Sequence, residues 1–357
     1  MIGQRLSLAR TASGMSMEKL GTIVGVSANM IKKYEHDQSM PTSSMLLKLA
    51  TALNTRIEFF FRPQKVTLSQ VEFRKKHDTP VKLLKQIEAD VIDQAERWLE
   101  LSNLWANFPV KDFQSNLSID PIHTLDDVEV VANKLREYWQ LGTNPIPHLI
   151  DLLESKGILV IVTNVIDDKN KFDGLQASVN NLPVIVVSNH WCGDRQRFTL
   201  AHELGHLILH DYLDEGIDEE QACNRFAGSF LLPKQGVIEH LGEHRKKISP
   251  KELSFLKHEY GLSMSACVHR AKDLGVINAN YHKTMMIIFA KNGWRKQEPD
   301  TPYPSERTYL FKQLVYRALA EEIISESKGA ELLKMSVFDL HYSQFLGNHT
   351  AEELESI

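Results

Sequence analysis

Apolar residues recur every three to four positions along most of the chain. They give way to alternation and short continuous runs only between residues 157 and 188, which predicts a mainly helical protein with one small sheet. Residues 2–61 read as five short helices. Ile2, Leu6 and Ala9 form a stripe, Ser16 caps a second helix, and Ser27 caps a third running through Tyr34-Glu35. After a break at Pro41, Leu46, Leu49, Ala50 and Leu53 resume the helical spacing. Residues 64–80 are polar, hold the basic cluster Arg74-Lys75-Lys76 and end at Asp78-Thr79-Pro80, a junction. Residues 82–105 form one long helix on Leu83, Ile87, Val91, Ala95, Trp98 and Leu101, suited to spacing or pairing the parts on either side, and residues 106–122 a loop or short strand.

Helices are expected from Leu125 to a stop at Leu141-Gly142 and over residues 147–156, followed by a buried strand at residues 157–162. Residues 173–179 and 182–188 form a hairpin through Asn180-Asn181. Pro183, which cannot donate to a ladder, suggests that the second of these strands lies at an edge. Two helices fill residues 250–275 around Gly261; residues 285–290 read as a strand, and residues 310–319 and 328–333 as helices.

A chain of 357 residues exceeds one ordinary core and implies several domains. No apolar run reaches the length of a membrane span and the N-terminus lacks a signal-peptide core, so a cytoplasmic protein with no membrane partner is expected. Three scattered cysteines make no disulfide framework. Charge is uneven: residues 1–64 hold eight Lys or Arg against four acids, whereas the whole chain is −5. A basic head on an acidic body implies that the head meets a polyanion.

The most informative stretch is His202-Glu203-Leu204-Gly205-His206, set among Leu200, Ala201, Leu207 and Ile208. On a helix the two histidines lie on one face a turn apart, spaced to hold one zinc ion, with Glu203 beside them as a proton carrier. His210 stands eight residues from His202, roughly 12 Å along the axis, too far for one ion to hold both. A third ligand is expected from the acidic start of the next helix, where helical phase leaves Glu219 and Glu220 both open.

Two family resemblances rest on these residues. Gly3-x-Arg5-Leu6, Ser16-x-x-x-Leu20, Val24-Gly25-Val26-Ser27, Ile31-x-x-Tyr34-Glu35 and Leu49-Ala50-x-x-Leu53 resemble the Cro/C1-type (XRE-like) helix-turn-helix family. That resemblance implies DNA binding through Ser27, Ala28, Asn29, Lys32 and Lys33, although Met17 stands where the family often has a DNA-contacting Gln. Arg136-x-x-Trp139, Asp173-Gly174, the segment from Arg195 to His210, and Phe226-Ala227-x-x-Phe230-Leu231-Leu232-Pro233 resemble the ImmA/IrrE-type zinc metallopeptidases. The family register places a ligand Glu six residues before the Phe, which is Glu220; Cys223 departs from the small residue usual there.

These resemblances imply an α+β multidomain chain. It has an all-α helix-turn-helix head (1–64), a helical connector (65–122), a gluzincin-like metallopeptidase core with a small mixed sheet (123–276) and a mostly helical C-terminal region (277–357). The implied site is Zn2+ on His202, His206 and Glu220 with Glu203 as general base. The implied activity is cleavage of a repressor- or antitoxin-like protein, with DNA as a further partner and a homodimer compatible with the tail. The competing reading is a transcription regulator or antitoxin whose zinc site does not cut.

Overall fold

The computed structural model describes residues 2–62, 81–114, 116–164 and 172–344. The basic cluster Arg74-Lys75-Lys76 and the junction at Pro80 fall outside them. The head comprises α1 (Ile2–Ala12), α2 (Met17–Val24), α3 (Ala28–Glu35) and α4 (Ser43–Ala52), closed by a 3-10 turn at Ile57–Phe61. Its termini are built by local chemistry. Ser16 and Ser27 accept from the backbone N–H of Lys19 and Met30, and Gly25 ends α2 at φ 83, a left-handed conformation that suits glycine. Leu6, Leu20, Ile31, Leu49 and Phe60 fill a separate small core.

The long helix α5 (Val81–Leu104) is more than a spacer. It touches α1, and its apolar face packs on the sheet. The sheet holds β1 (Leu159–Thr163), β2 (Gly174–Val179) and β3 (Leu182–Ser188) in the order β1-β3-β2, with β1 parallel and β2 antiparallel to β3. Asn180 and Asn181 both take positive φ, as a two-residue hairpin that follows strand twist requires.

The central place of β3 corrects the expectation that Pro183 marks an edge. The pair Val179/Leu182 flanks the two-residue turn and exchanges both hydrogen bonds, so Ser178/Pro183 is a non-bonded pair and the proline nitrogen faces away from β2. On that other side β1 pairs only from Val184, so no ladder bond is lost. Buried on both faces, β3 reads as the continuous run Val184-Ile185-Val186-Val187.

Helices cover both faces. Val160, Ile185 and Val187 meet a large core that includes α6 (Leu125–Tyr138), α7 (Leu149–Ser155), α8 (Gly193–Leu209), α9 (Glu219–Leu231), α10 (Lys234–Leu241), α11 (Pro250–Tyr260), α12 (Met264–Asp273) and α13 (Ala279–Lys291). Ile161, Leu175, Val184 and Val186 meet α5 and α14 (Leu310–Ala320), with α15 (Glu326–Leu332) alongside and α16 (Val337–Gln344) last. The strand expected at residues 285–290 is part of α13. Met285-Met286-Ile287-Ile288 is too short an apolar run to separate helix from strand. The helix is set by the Asn278 cap on the Tyr281 N–H and by burial of Met285 and Phe289 one turn apart.

Charge pairs, several of them buried, tie segments of the chain together. Arg5 of α1 forks onto Glu96 of α5, Arg62 meets Glu331, and Lys334 and Arg97 converge on Asp93. None of the described helices is long and apolar enough to cross a membrane.

Candidate metal centre

The helix carrying His202 lacks a side-chain cap of its own, since Cys192 makes no capping bond. Its first turn is held instead by residues 303–306. The N–H of Gly193 donates to the Tyr303 carbonyl at 3.0 Å, and the Gln196 side chain accepts from the Glu306 N–H at 3.0 Å. The Glu306 carboxylate lies at 2.5 Å from fully buried Arg197 and also accepts from the N–H groups of Leu149 and Ile150. Arg197 is thereby committed to structure, not to a ligand.

About two and three turns further along α8, His202 and His206 stack their rings edge to face, with centroids 4.9 Å apart. Helix α9 crosses α8 closely because Gly205 has no Cβ; one placed there would stand 3.2 Å from Cα of Cys223. That approach puts the first turn of α9 beside both rings. An oxygen of Glu220 lies 3.4 Å from Nε2 of His202, and the other 3.5 Å from Nε2 of His206. Nδ1 of His202 meets the Asn224 amide oxygen at 3.1 Å, and Nδ1 of His206 meets Glu219 at 3.0 Å. With Nδ1 held on both rings, both Nε2 atoms turn to Glu220. His210 reaches Glu219 at 3.3 Å and does not join that triad.

The donor set fits zinc. Tetrahedral coordination with bonds of about 2.0–2.1 Å separates ligand atoms by about 3.4 Å, close to both Glu220 separations. A second grouping, His206, Glu219 and Cys223, also draws its potential ligand atoms within 4.8 Å of one another, but Cys223 is fully buried in the helix contact.

Glu203 is 8% exposed and faces the start of β2, where a Cβ on Gly174 would lie 3.7 Å from its Oε1 and clash with Thr199. Arg195 fixes that start by pairing with Asp173 at 2.6 Å while stacking over Trp191. Among the described residues β2 pairs with β3 alone, and its start lies beside Glu203. Asn224 was not anticipated from the sequence; its signal is that it stands four residues after Glu220, on the same helical face. In the head, Ala28, Asn29, Lys32 and Lys33 point outward while Ile31 and Tyr34 are buried, and Ser27 serves as the cap.

Comparison with known proteins finds two families along the chain. Residues 6–60 match the helix-turn-helix family model, and residues 153–272 match the model of the IrrE N-terminal-like domain, a peptidase family. An uncharacterized HTH-type transcriptional regulator of Sinorhizobium medicae is 40% identical over 60 residues, 17% of this chain and 43% of that protein. An uncharacterized transcriptional regulator in the ATPase CF(0) region of Rhodospirillum rubrum is 38% identical over 60 residues, 56% of its length. The chain thus spans about half the length of these curated relatives. Among solved structures, a Mycobacterium tuberculosis transcriptional regulator aligns over 43% of this chain and 47% of its own at 18% identity, with a TM-score of 0.31.

Proposed function

We propose that this chain, which joins a helix-turn-helix domain to an IrrE N-terminal-like domain, is a cytoplasmic zinc-dependent endopeptidase that cuts a repressor- or antitoxin-like protein and binds DNA through its head. The observation carrying this reading is the triad of His202, His206 and Glu220 at zinc-ligand separations, with both Nδ1 atoms already engaged. These three residues would hold the metal. When bound, zinc would lower the pKa of a water to about 7 and polarise the scissile carbonyl.

The chain's own groups supply the rest. Glu203, shielded between α8 and β2, takes the proton of the attacking water and returns it to the leaving amine. The edge of β2 that no described strand pairs would offer backbone donors and acceptors to an extended substrate lying beside that carboxylate. Asn224 and Glu219 fix the two rings, so the ligands need little reorganisation. On DNA, Asn29 can pair with adenine, while Lys32 and Lys33 meet phosphate or guanine.

Glu203→Gln tests the reading, with proteomes compared between cells carrying wild type and variant. Zinc should stay at one equivalent while a cut protein disappears. If the two proteomes show the same fragments, the zinc site does not cut and the reading as a zinc-responsive regulator takes its place. For the head, Lys32→Ala and Lys33→Ala should each lower the salt slope of DNA binding by about one.

A further inference from the structure

Away from the candidate metal centre, α12 and α13 meet at a corner made by residues 274–278, with Gly275 in the left-handed region at φ 72. Each helix presents one histidine to the other across this corner. Nε2 of His282 lies 3.0 Å from Nδ1 of His269, with the rings 4.4 Å apart at 63°. Both helices are fixed at their starts, α12 by Ser263 and α13 by Asn278, and Met285 and Phe289 anchor α13 in the large core. The spacing of the two helix positions that carry the histidines is therefore set by backbone and packing.

We propose that His269 and His282 form an accessory chelating site for a divalent late transition metal, copper(II) above all. Two nitrogens about 3.0 Å apart, each about 2.05 Å from one ion, subtend an angle of about 94° at it. A bite near a right angle suits the tetragonal geometry of copper(II) or nickel(II), and imidazole affinity is highest for copper(II) in the divalent series. His269 is exposed and His282 half-buried, so the pair opens to solvent and water can complete the coordination. Partial desolvation by the neighbouring helix holds both imidazoles below their usual range; His282 and Lys272 act in the same direction on His269, Lys272 does so on His282, and Asp273 opposes. At neutral pH the pair then shares one proton in a neutral hydrogen bond. Binding moves that proton to the far nitrogen of the same ring, so no net proton release is required. The bound ion would clamp α12 to α13 independently of whether His202, His206 and Glu220 bind zinc.

The test uses the full chain treated with one equivalent of zinc, freed of excess and titrated with copper(II) at pH 7.5. Zinc content is followed by mass spectrometry and copper by electron paramagnetic resonance. Wild type should bind one copper equivalent with a tetragonal signal coupled to two nitrogens. His269→Ala and His282→Gln should each weaken it at least tenfold and leave zinc content unchanged. If the first centre fails to hold zinc and takes copper instead, each variant still lowers the copper count by one. Absence of a stoichiometric site in wild type, or its persistence in both variants, overturns the proposal and leaves only a histidine hydrogen bond. Where the first centre keeps its zinc, a copper-dependent rise in melting temperature, expected in wild type and lost in both variants, decides the same question without spectroscopy.

Discussion

Gly205→Ala probes how the fold delivers Glu220 to the histidines. The new Cβ would stand 3.2 Å from Cα of Cys223, 3.2 Å from Cδ1 of Phe226 and 3.3 Å from Cβ of Cys223. One of those atoms is backbone, so α9 itself must move outward by a few tenths of an ångström. Two energies oppose each other. Alanine in a helix interior is favoured over glycine by about 1 kcal/mol, while overpacking costs about 1–3 kcal/mol. The net loss of stability is therefore at most about 2 kcal/mol, and the protein should still fold. Glu220 stands one turn before Cys223 on the moving helix, so the metal triad should suffer more than the fold. We expect zinc affinity to fall about tenfold, the lower end for disturbed support of a metal ligand. Gly205→Val should lower it further. Competition against a chromophoric chelator reads the affinity, and thermal unfolding of the metal-free protein reads the fold. Unchanged zinc affinity in both variants would refute the claim that the close crossing of α8 and α9 positions the third ligand.

Asn224→Ala should weaken zinc about 10–100-fold while leaving helix content unchanged, because His202 loses the group that orients it; the same chelator competition checks it. Glu306→Ala should cost about 3–5 kcal/mol in denaturant unfolding, since it leaves Arg197 buried without its counter-ion. Burial first, and then Asp151, raise the Glu154 carboxyl from an ordinary value of 4.5 to about 8. The native state then holds a proton that the unfolded chain releases, so this group's cost to stability begins as pH rises through 4.5 and is complete above about 8. Glu154→Gln should flatten the fall in stability across that range and be worth a few kcal/mol, order of magnitude, at pH 8; urea midpoints from pH 5 to pH 8 measure it.

Local chemistry was legible in the chain. The caps at Ser16 and Ser27, the left-handed Asn180-Asn181 turn and the histidine spacing on α8 each depend on a few neighbouring residues. What escaped reading depends on partners far along the chain. Pro183 sits in a central strand because β1 happens to begin pairing one residue later, a matter of register between segments some 20 residues apart. The choice between Glu219 and Glu220 could not be made from helical phase. In the structure they divide the two faces of one imidazole, Glu219 at Nδ1 of His206 and Glu220 at Nε2. The grip of residues 303–306 on α8 joins Glu306 to Arg197 across 109 positions, and no periodicity encodes such a pair.

The ligand set of the zinc-loaded protein tests the assignment of the metal to His202, His206 and Glu220 most directly, and X-ray absorption at the zinc edge measures it. That assignment predicts only nitrogen and oxygen scatterers at about 2.0–2.1 Å, including two imidazoles, with the signal lost in Glu220→Ala. A sulfur scatterer at about 2.3 Å would contradict it, placing the metal on Cys223 with His206 and Glu219 instead.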